Sequence, residues 1–301
     1  MKDERLSIRA LLAYGALGLP LAALNLPLYV YLPAFYAGDV GIGLAAVGWI
    51  LLFARLLDTV TDPLIGEFSD RSRTRWGRRR PWVVAACPLL IIATFMLFVP
   101  GGEVGGTYLF IWTSLAYLAW TMMLLSFTAW GAELSSDYHE RSRITGTREA
   151  FVVIGILLAA GLPAMLGYNA ETEQGKVLRA LAVSMSFLLP ICLLALLWNV
   201  PERPAAPRAT SLPLIAGLRL AWSNRPFLRL VGAYFLNGIA NGLPATLFLL
   251  FVADGLKRGD AAAPLLLLYF VAGIIGIPVW LRISTRIGKH RTWAIAMLWA
   301  S

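Results

Sequence analysis

Residues 55–82 read RLLDTVTDPLIGEFSDRSRTRWGRRRPW, a stretch that places two aspartates inside an apolar run and ends in a cluster of arginines. Arg55, Asp58 and Asp62 are spaced so that a helix would carry all three side chains on one face. An ionised group at membrane depth costs at least a few kcal/mol. We therefore expect this face to line a polar cavity between helices.

The composition indicates the solvent in which the chain folds. Of its 301 residues, 58% are hydrophobic and only 14% are charged, against about 25% charged residues in an average soluble domain. The apolar blocks are continuous and about 20 residues long, which favours membrane-spanning helices over the alternating strands of a barrel. The predicted fold is an all-helical integral membrane protein. Eight spans are expected, near residues 10–35, 42–68, 81–99, 107–134, 148–168, 176–200, 227–253 and 263–284.

Lysine and arginine are concentrated before the first predicted span and after every second span. Because basic residues are retained on the cytoplasmic side, this pattern predicts a multi-pass protein of the cytoplasmic membrane with a cytoplasmic N-terminus. The net charge of +9 is then a topology signal. No nucleic-acid partner is expected, since no soluble domain carries a basic binding face. The expected partners are a small-molecule substrate and membrane lipid, and the expected state is a monomer.

An internal repeat indicates two parallel halves. The segment TRWGRRRPW at residues 74–82 aligns with TRIGKHRTW at residues 285–293, and each follows an even-numbered span. Parallel repeats of this kind occur in transporters. The predicted organisation is a six-helix bundle over 1–199, a cytoplasmic linker over 200–226 and a partial second bundle over 227–301. The second copy is expected to be truncated, because too few residues follow its repeated loop to span a membrane.

The paired aspartates predict a cation site. Two carboxylates one helical turn apart repel each other unless a cation lies between them or a proton is shared. Arg55 offsets one charge only, and the two intervening threonines add hydroxyl oxygens that suit Na⁺. The alternative is a packing salt bridge between Arg55 and Asp58, with Asp62 capping a group near Pro63.

Further motifs carry a resemblance to a known family. The segment GEFSDRSRTRWGRRRP at residues 66–81 resembles the loop between helices two and three of the major facilitator superfamily. With RLLDTVTDP before it, AELSSDYHERSR at 132–143 and TRE at 147–149, the chain resembles the glycoside-pentoside-hexuronide:cation symporters. This is the melibiose carrier family, which also includes animal lysolipid carriers. The resemblance is best over the first five helices.

The family implies the major facilitator fold and secondary active transport by alternating access, without a cofactor. The expected reaction is Na⁺- or H⁺-coupled symport of a sugar or glycoside. The alternative solutes are anionic or lipid-like, such as a uronate or a lysophospholipid. A non-transporting receptor or scaffold is the remaining alternative, because it could inherit the same aspartates.

Carried over by position, the resemblance implies that Asp58 and Asp62 bind the coupling cation and that Thr121 is a third ligand. Thr61 stands where these carriers often have asparagine, which leaves both Na⁺ and H⁺ open. Arg148, at the start of the fifth predicted helix, matches an arginine near the sugar site. The alternative for Arg148 is a basic side chain that extends to the cytoplasmic surface from a helix end.

The resemblance fails at the sugar-binding carboxylates. Their positions are occupied by Pro20 and Leu124, and neither side chain can accept a hydrogen bond. Since discrimination between hydroxyl patterns depends on paired polar groups, simple galactosides are expected to bind weakly. The candidate substrate-binding residues are Arg148, Tyr14, Asn25, Trp120, Asn237 and Asn241, and each of the last five also fits ordinary helix packing.

Charged residues at the cytoplasmic side are predicted to close the cavity when the halves rock. The alternative is plain retention of positive charge on that side. Cys87 and Cys192 are expected to be buried without a disulfide. No histidine falls in a predicted span and no H-E-x-x-H or G-x-S-x-G motif occurs, so we expect no catalytic residues, no metal site beyond possible Na⁺, and no enzyme. The candidate gating residues are Arg55, Asp70, Arg71, Arg78, Asp137 and Arg141.

Overall fold

The structure is a computed structural model that describes residues 5–25, 27–102, 104–168, 173–202, 214–250, 252, 256–257 and 262–300. Helices are the regular elements of this described part, as the apolar blocks predict. In chain order they are α1 (Ile8–Ala16), α2 (Gly18–Ala23), a π-helical turn (Pro27–Tyr31), α3 (Leu32–Ala37), α4 (Leu44–Arg71), α5 (Arg80–Phe98), α6 (Gly106–Glu133), α7 (Tyr138–Met165), α8 (Gln174–Asn199), α9 (Leu214–Ser223), α10 (Arg225–Leu250), α11 (Ala262–Ile287) and α12 (Lys289–Ala300).

Six helical segments of the described part are long and apolar enough to cross a membrane. They cover residues 8–37, 44–71, 80–98, 106–133, 138–163 and 174–199. Five of the first six predicted spans agree with them to within a few residues. Helices α10 and α11 occupy the seventh and eighth predicted positions, but the count of eight spans stays a prediction.

The fifth predicted span was wrong at its start. Helix α7 begins at Tyr138, ten residues before the predicted Arg148. The Asp137 carboxylate accepts a hydrogen bond from the Glu140 backbone N–H at 2.7 Å, in the spacing of an N-terminal capping box. The cap starts the helix in polar sequence, before the apolar run that the prediction relied on. Arg148 therefore lies well inside α7.

The first span, residues 8–37, is a series of short helical pieces. Ser7 caps α1 by accepting a hydrogen bond from the Ala10 N–H at 3.2 Å. Pro20, Pro27 and Pro33 follow, and each lacks the N–H that a continuous helix would use. The span accordingly passes through a π-helical turn before α3 begins.

The core lies where the first span, α5, α6 and α8 meet, and its largest fully buried side chains include Tyr14, Phe127 and Trp130. Helix α5 packs against α6 and α8, α6 packs against α4, and α7 packs against α1 and α2. The α2 and α7 backbones meet at Gly155, where an added Cβ would lie 2.2 Å from the Leu19 carbonyl oxygen. This close contact fixes α7, and with it Arg148, against the first span.

Cys87 and Cys192 are buried and free, as predicted. Each lies within an apolar helix, α5 or α8. Both therefore pack as small apolar side chains.

The chain forms two compact units. One comprises Met1–Pro204 with Ile274–Ser301, and the other comprises Ala205–Gly273. In the second unit α9 lies inside the segment predicted as a linker, and it packs against α10. The division into bundles over 1–199 and 227–301 rests on the sequence repeat and stays a prediction.

Candidate ion and solute site

The central feature of α4 is the buried carboxylate of Asp58, whose side chain is 4% exposed. Arg55 Nη1 donates to Asp58 Oδ2 at 3.0 Å, and Thr121 Oγ1 donates to Asp58 Oδ1 at 3.1 Å. The Arg55 guanidinium also lies over the Tyr117 ring, 5.3 Å from its centre, within cation–π range. The salt bridge considered as the alternative is thus present, and Thr121 joins it from α6. Both oxygens of Asp58 have a donor.

Asp62 lies one turn further along α4 and is left with an open acceptor. Its Oδ1 atom is buried and accepts no hydrogen bond from any described residue. The Thr61 hydroxyl does not fill the gap, since it donates to the Asp58 carbonyl at 3.1 Å. Pro63 has no N–H to donate to the Thr59 carbonyl. The main-chain oxygen of Thr59 therefore lacks its usual helical donor as well. A buried acceptor without a donor costs about 1–3 kcal/mol.

These oxygens fit a small hard cation, because carboxylate and hydroxyl oxygens are its preferred ligands. Arg55 offsets the charge of Asp58, whereas Asp62 forms no salt bridge within the described part of the chain. One monovalent cation would balance that remaining charge. No group of three or more histidine, cysteine or acidic residues able to hold a metal ion occurs among the described residues.

Arg148 lies on α7 beside the first span. Its guanidinium forms a salt bridge with the neighbouring Glu149 carboxylate. The Arg148 backbone sits close to α2, since an added Cβ at Gly18 would lie 3.3 Å from the Arg148 carbonyl oxygen. Arg148 therefore occupies a helix seam and already has an acidic partner.

Tyr14 is packed into the core, where 2% of the residue is exposed. Its hydroxyl donates to the Phe127 carbonyl at 3.3 Å, and the two rings lie 4.6 Å apart. Gly131 makes room for it, because a Cβ there would lie 1.9 Å from the Tyr14 hydroxyl. These contacts account for Tyr14 as a packing residue, and its role in solute binding stays a prediction.

The other predicted solute contacts lie in three places. The Trp120 indole Nε1 is buried without a hydrogen-bond partner in the described part of the chain, next to Thr121. Asn25 is partly buried ahead of the π-helical turn. Asn237 is partly buried on α10 in the second unit, and the Asn241 side chain lies outside the described residues. Asp58 takes its hydrogen bonds from Arg55 and Thr121, and not from Asn25.

A second charged group lies at the ends of α4, α5, α6 and α8. We call it the cytoplasmic cluster, after the side on which the sequence predicts these helix ends to lie. Its members are Asp70, Arg78, Arg79, Glu133 and Glu202. Arg79, of which 5% is exposed, pairs with Asp70 and Glu133. Arg79 Nη1 also donates to the Ser69 hydroxyl at 2.8 Å. Arg78 adds a second salt bridge to Glu133. Two arginines thus converge on one carboxylate.

Glu202 completes the cytoplasmic cluster by capping α5. Its carboxylate accepts hydrogen bonds from three successive backbone N–H groups, those of Arg78, Arg79 and Arg80. A carboxylate at a helix N-terminus also meets the positive end of the helix dipole. Gly77 allows this approach, because its φ is +111° and an added Cβ would lie 2.0 Å from a Glu202 oxygen.

The remaining predicted gating residues lie outside this cluster. Arg71 pairs with Glu67 on its own helix, and Arg141 Nε donates to the Ser135 carbonyl at 2.7 Å. Asp137 caps α7. Sequence reasoning assigned no role to four residues, of which only Glu202 lies outside the motifs that carry the resemblance. The four are Arg79, Glu133, Glu149 and Glu202.

Long apolar helices around a buried, ion-paired carboxylate define a multi-pass membrane protein with a polar site inside its helical part. The family assignment is specific. Residues 13–301 match the family described as MFS/sugar transport protein, and the chain belongs to this family.

Several curated relatives are similar to most of this chain. The sodium-dependent lysophosphatidylcholine symporter 1 of Mus musculus is 26% identical over 96% of the chain and 61% of its own length. The inner membrane symporter YicJ of Escherichia coli is 28% identical over 92% and 57%, and the isoprimeverose transporter of Lactiplantibacillus pentosus is 24% identical over 90% and 58%. The chain therefore spans about 60% of the length of these relatives.

Proposed function

We propose that the chain acts in a secondary active transporter that couples entry of a monovalent cation to symport of a small organic solute. The observation that carries this proposal is the open Asp62 oxygen one turn from the saturated Asp58 carboxylate. The family match and the symporters among its relatives support a carrier rather than an enzyme. Within the family we place the chain with melibiose-type carriers, on the motifs at residues 55–81 and 132–149.

The charge of Asp62 supplies a physical basis for coupling. Closing the helices over an ionised carboxylate without a counter-ion exposes it to a low dielectric, at a cost of several kcal/mol. A cation at Asp62 removes that cost, so the loaded site closes and the unloaded site stays open. Alternating access then carries ion and solute together.

The test is solute uptake into vesicles that contain the purified protein, under a Na⁺ gradient or a pH gradient imposed separately. The effective gradient identifies the coupling ion. Asp62→Asn preserves the shape and removes the charge, so gradient-driven accumulation should fall to background in that variant. Undiminished accumulation by Asp62→Asn would contradict the proposal.

A lipid-like solute is the second candidate, favoured by one feature of α4. An open groove of about 570 Å³ runs along this helix, beginning one turn before the Arg55–Asp58 pair. Thr61 is the polar residue of an otherwise apolar lining, which suits an acyl chain. Uptake of lysophosphatidylcholine in the same vesicles, compared with a neutral glycoside, distinguishes the two solute classes. The lining residues are Ile50, Phe53, Leu56, Leu57, Val60, Thr61 and Phe110.

We further propose a cytoplasmic N-terminus in the inner membrane and a monomeric carrier. The arginines of the loop at residues 71–80 support the orientation, since basic loops are retained on the cytoplasmic side.

A further inference from the structure

The six candidate spans hold five charged side chains that lie about two turns or more from either helix end. Two are basic and three are acidic. Arg55 pairs with Asp58 and Arg148 pairs with Glu149, which leaves the charge of Asp62 unbalanced. When one monovalent cation binds there, the group has no net charge. The five are Arg55, Asp58, Asp62, Arg148 and Glu149.

The pair of Arg148 and Glu149 borders open space. The side chains are 24% and 46% exposed, unlike Asp58, at 4%. Neighbouring residues on a helix point about 100° apart, so the guanidinium has to turn sideways to meet the carboxylate. The salt bridge thus lies at the partly exposed rim of the helix seam.

We propose that Glu149 determines the charge class of the solute, by neutralising Arg148 so that the site accepts a solute without net charge. This inference rests on the proposed function. An isolated arginine at this depth would attract an anion, whereas a guanidinium and carboxylate side by side offer donors and acceptors together. A pair of hydroxyl groups or a zwitterionic headgroup can interact favourably with both the guanidinium and the carboxylate. An anionic solute meets the carboxylate as well, and the like charges repel.

The proposed cation site also favours a solute without net charge. With the ion bound, its charge and those of the five deep side chains sum to zero, so an anion would bring one uncompensated charge into the closed site. Binding of the ion and exclusion of anions are therefore two parts of one charge balance. Glu149 is a specificity-determining residue in this proposal, because its carboxylate neutralises the charge of Arg148.

The experiment compares pairs of related probes whose members differ in net charge. Binding to the purified full chain is followed by the rise in its apparent unfolding temperature, with glucuronate against glucuronamide and with lysophosphatidylglycerol against lysophosphatidylcholine. The first pair tests a sugar and the second a lipid headgroup. The wild type should prefer the uncharged or zwitterionic member. Glu149→Gln should shift the ratio of apparent affinities toward the anion by at least about tenfold, because Arg148 is left unpaired.

Two variants serve as controls. Glu149→Asp keeps the carboxylate and should retain the wild-type ratio. Glu173→Gln removes the same charge from the pair that Glu173 forms with Lys176, far along the chain from Arg148, and should leave the ratio unchanged. A wild type that prefers the anion, or an unchanged ratio in a folded Glu149→Gln, would overturn the inference. Loss of gradient-driven uptake with this binding ratio intact would contradict the symport proposal alone.

Discussion

Two charged groups in the first unit use the same residue types in different ways. At the candidate ion site in the middle of α4, each oxygen of Asp58 has a donor, whereas Asp62 keeps a buried oxygen without a donor in the described part of the chain. In the cytoplasmic cluster, Glu133 receives two arginines and Glu202 receives three backbone N–H groups. The first arrangement leaves room for a ligand, and the second holds four helix ends together.

This difference shows how a buried charge that can bind a ligand is distinguished from a buried charge that stabilises the fold. A carboxylate whose acceptors are all used gains nothing from an added cation, and its loss leaves its partners unpaired in a dry environment. A carboxylate with an open acceptor is costly until something binds. Removing the first kind should therefore lower stability, and removing the second kind should abolish ligand binding while the fold persists.

Glu133→Gln is expected to have the largest effect on stability. It breaks the salt bridges from Arg78 and from Arg79, whose side chains are 13% and 6% exposed, at a cost of about 3 kcal/mol. The apparent unfolding temperature of the purified protein measures this loss.

Asp62→Asn should leave that temperature unchanged without ligand and should remove the stabilisation by Na⁺ or H⁺.

The matched control for Glu133→Gln is Glu67→Gln. It breaks the pair with Arg71, whose side chain is 51% exposed, and exposed pairs contribute less than about 1 kcal/mol. Equal losses from the two substitutions would show that the cytoplasmic cluster has no special structural role.

Gly77→Ala should come next, with a cost of about 1–3 kcal/mol. The φ of +111° is strained for alanine, and the new Cβ would lie 2.0 Å from the Glu202 carboxylate, so the cap on α5 has to move. Gly101→Ala is the control, because a Cβ there meets nothing within 4 Å. Thermal unfolding of both variants checks the prediction, which fails if the two behave alike.

Thr121→Val should lower stability and leave cation binding at Asp62 nearly unchanged. It removes the donor to the buried Asp58 Oδ1 and leaves that oxygen unpaired, at a cost of about 1 kcal/mol. Thr113→Val on the same helix is the control, since the Thr113 hydroxyl is buried without a partner in the described part of the chain. The apparent unfolding temperature of both variants without ligand separates them. Equal losses from the two substitutions would show that the hydrogen bond from Thr121 to Asp58 does not stabilise the fold.

Much of the fold and part of the site could be predicted from the sequence, for identifiable reasons. The limits of α4 follow from a continuous apolar run, and the common face of Arg55, Asp58 and Asp62 follows from helical spacing. The contact of Thr121 with Asp58 follows only from the family resemblance, because the two are far apart in sequence. The family assignment itself agrees with the motifs around residues 55–81.

The other features of the fold and the site depend on contacts between side chains, which residue spacing in the sequence does not indicate. Three successive arginines give no sign that Arg79 is the most buried, and Glu202 looks like a linker residue until α8 brings it to the start of α5. The start of α7 was missed for another reason. Its first turns are polar, so the start of α7 is indicated by the capping pair of Asp137 and Glu140 and not by an apolar block.

That capping pair gives the smallest predicted effect and a pH dependence. The hydrogen bond from the Glu140 N–H holds the pKa of Asp137 below its ordinary value of 3.8. A carboxyl group with a lowered pKa in the folded state contributes stability that is complete above its unfolded pKa and is lost as the pH falls through its folded pKa. The contribution of Asp137 should therefore be constant at neutral pH, begin to fall near pH 4, and be lost as the pH falls through its folded pKa.

Asp137→Asn tests this, because asparagine keeps a side-chain acceptor for the cap but cannot titrate. The variant should unfold slightly earlier than the wild type at pH 7, and the difference should vanish in acid. Asp137→Ala removes the acceptor as well and should cost more at both pH values. Hydrogen exchange at the first turn of α7 reports the cap directly, whereas exchange at the cytoplasmic cluster should not change. A difference between wild type and Asp137→Asn that persists once the pH lies below the folded pKa of Asp137 would show that the charge of Asp137 is not what distinguishes them, because the wild-type carboxyl is then largely protonated.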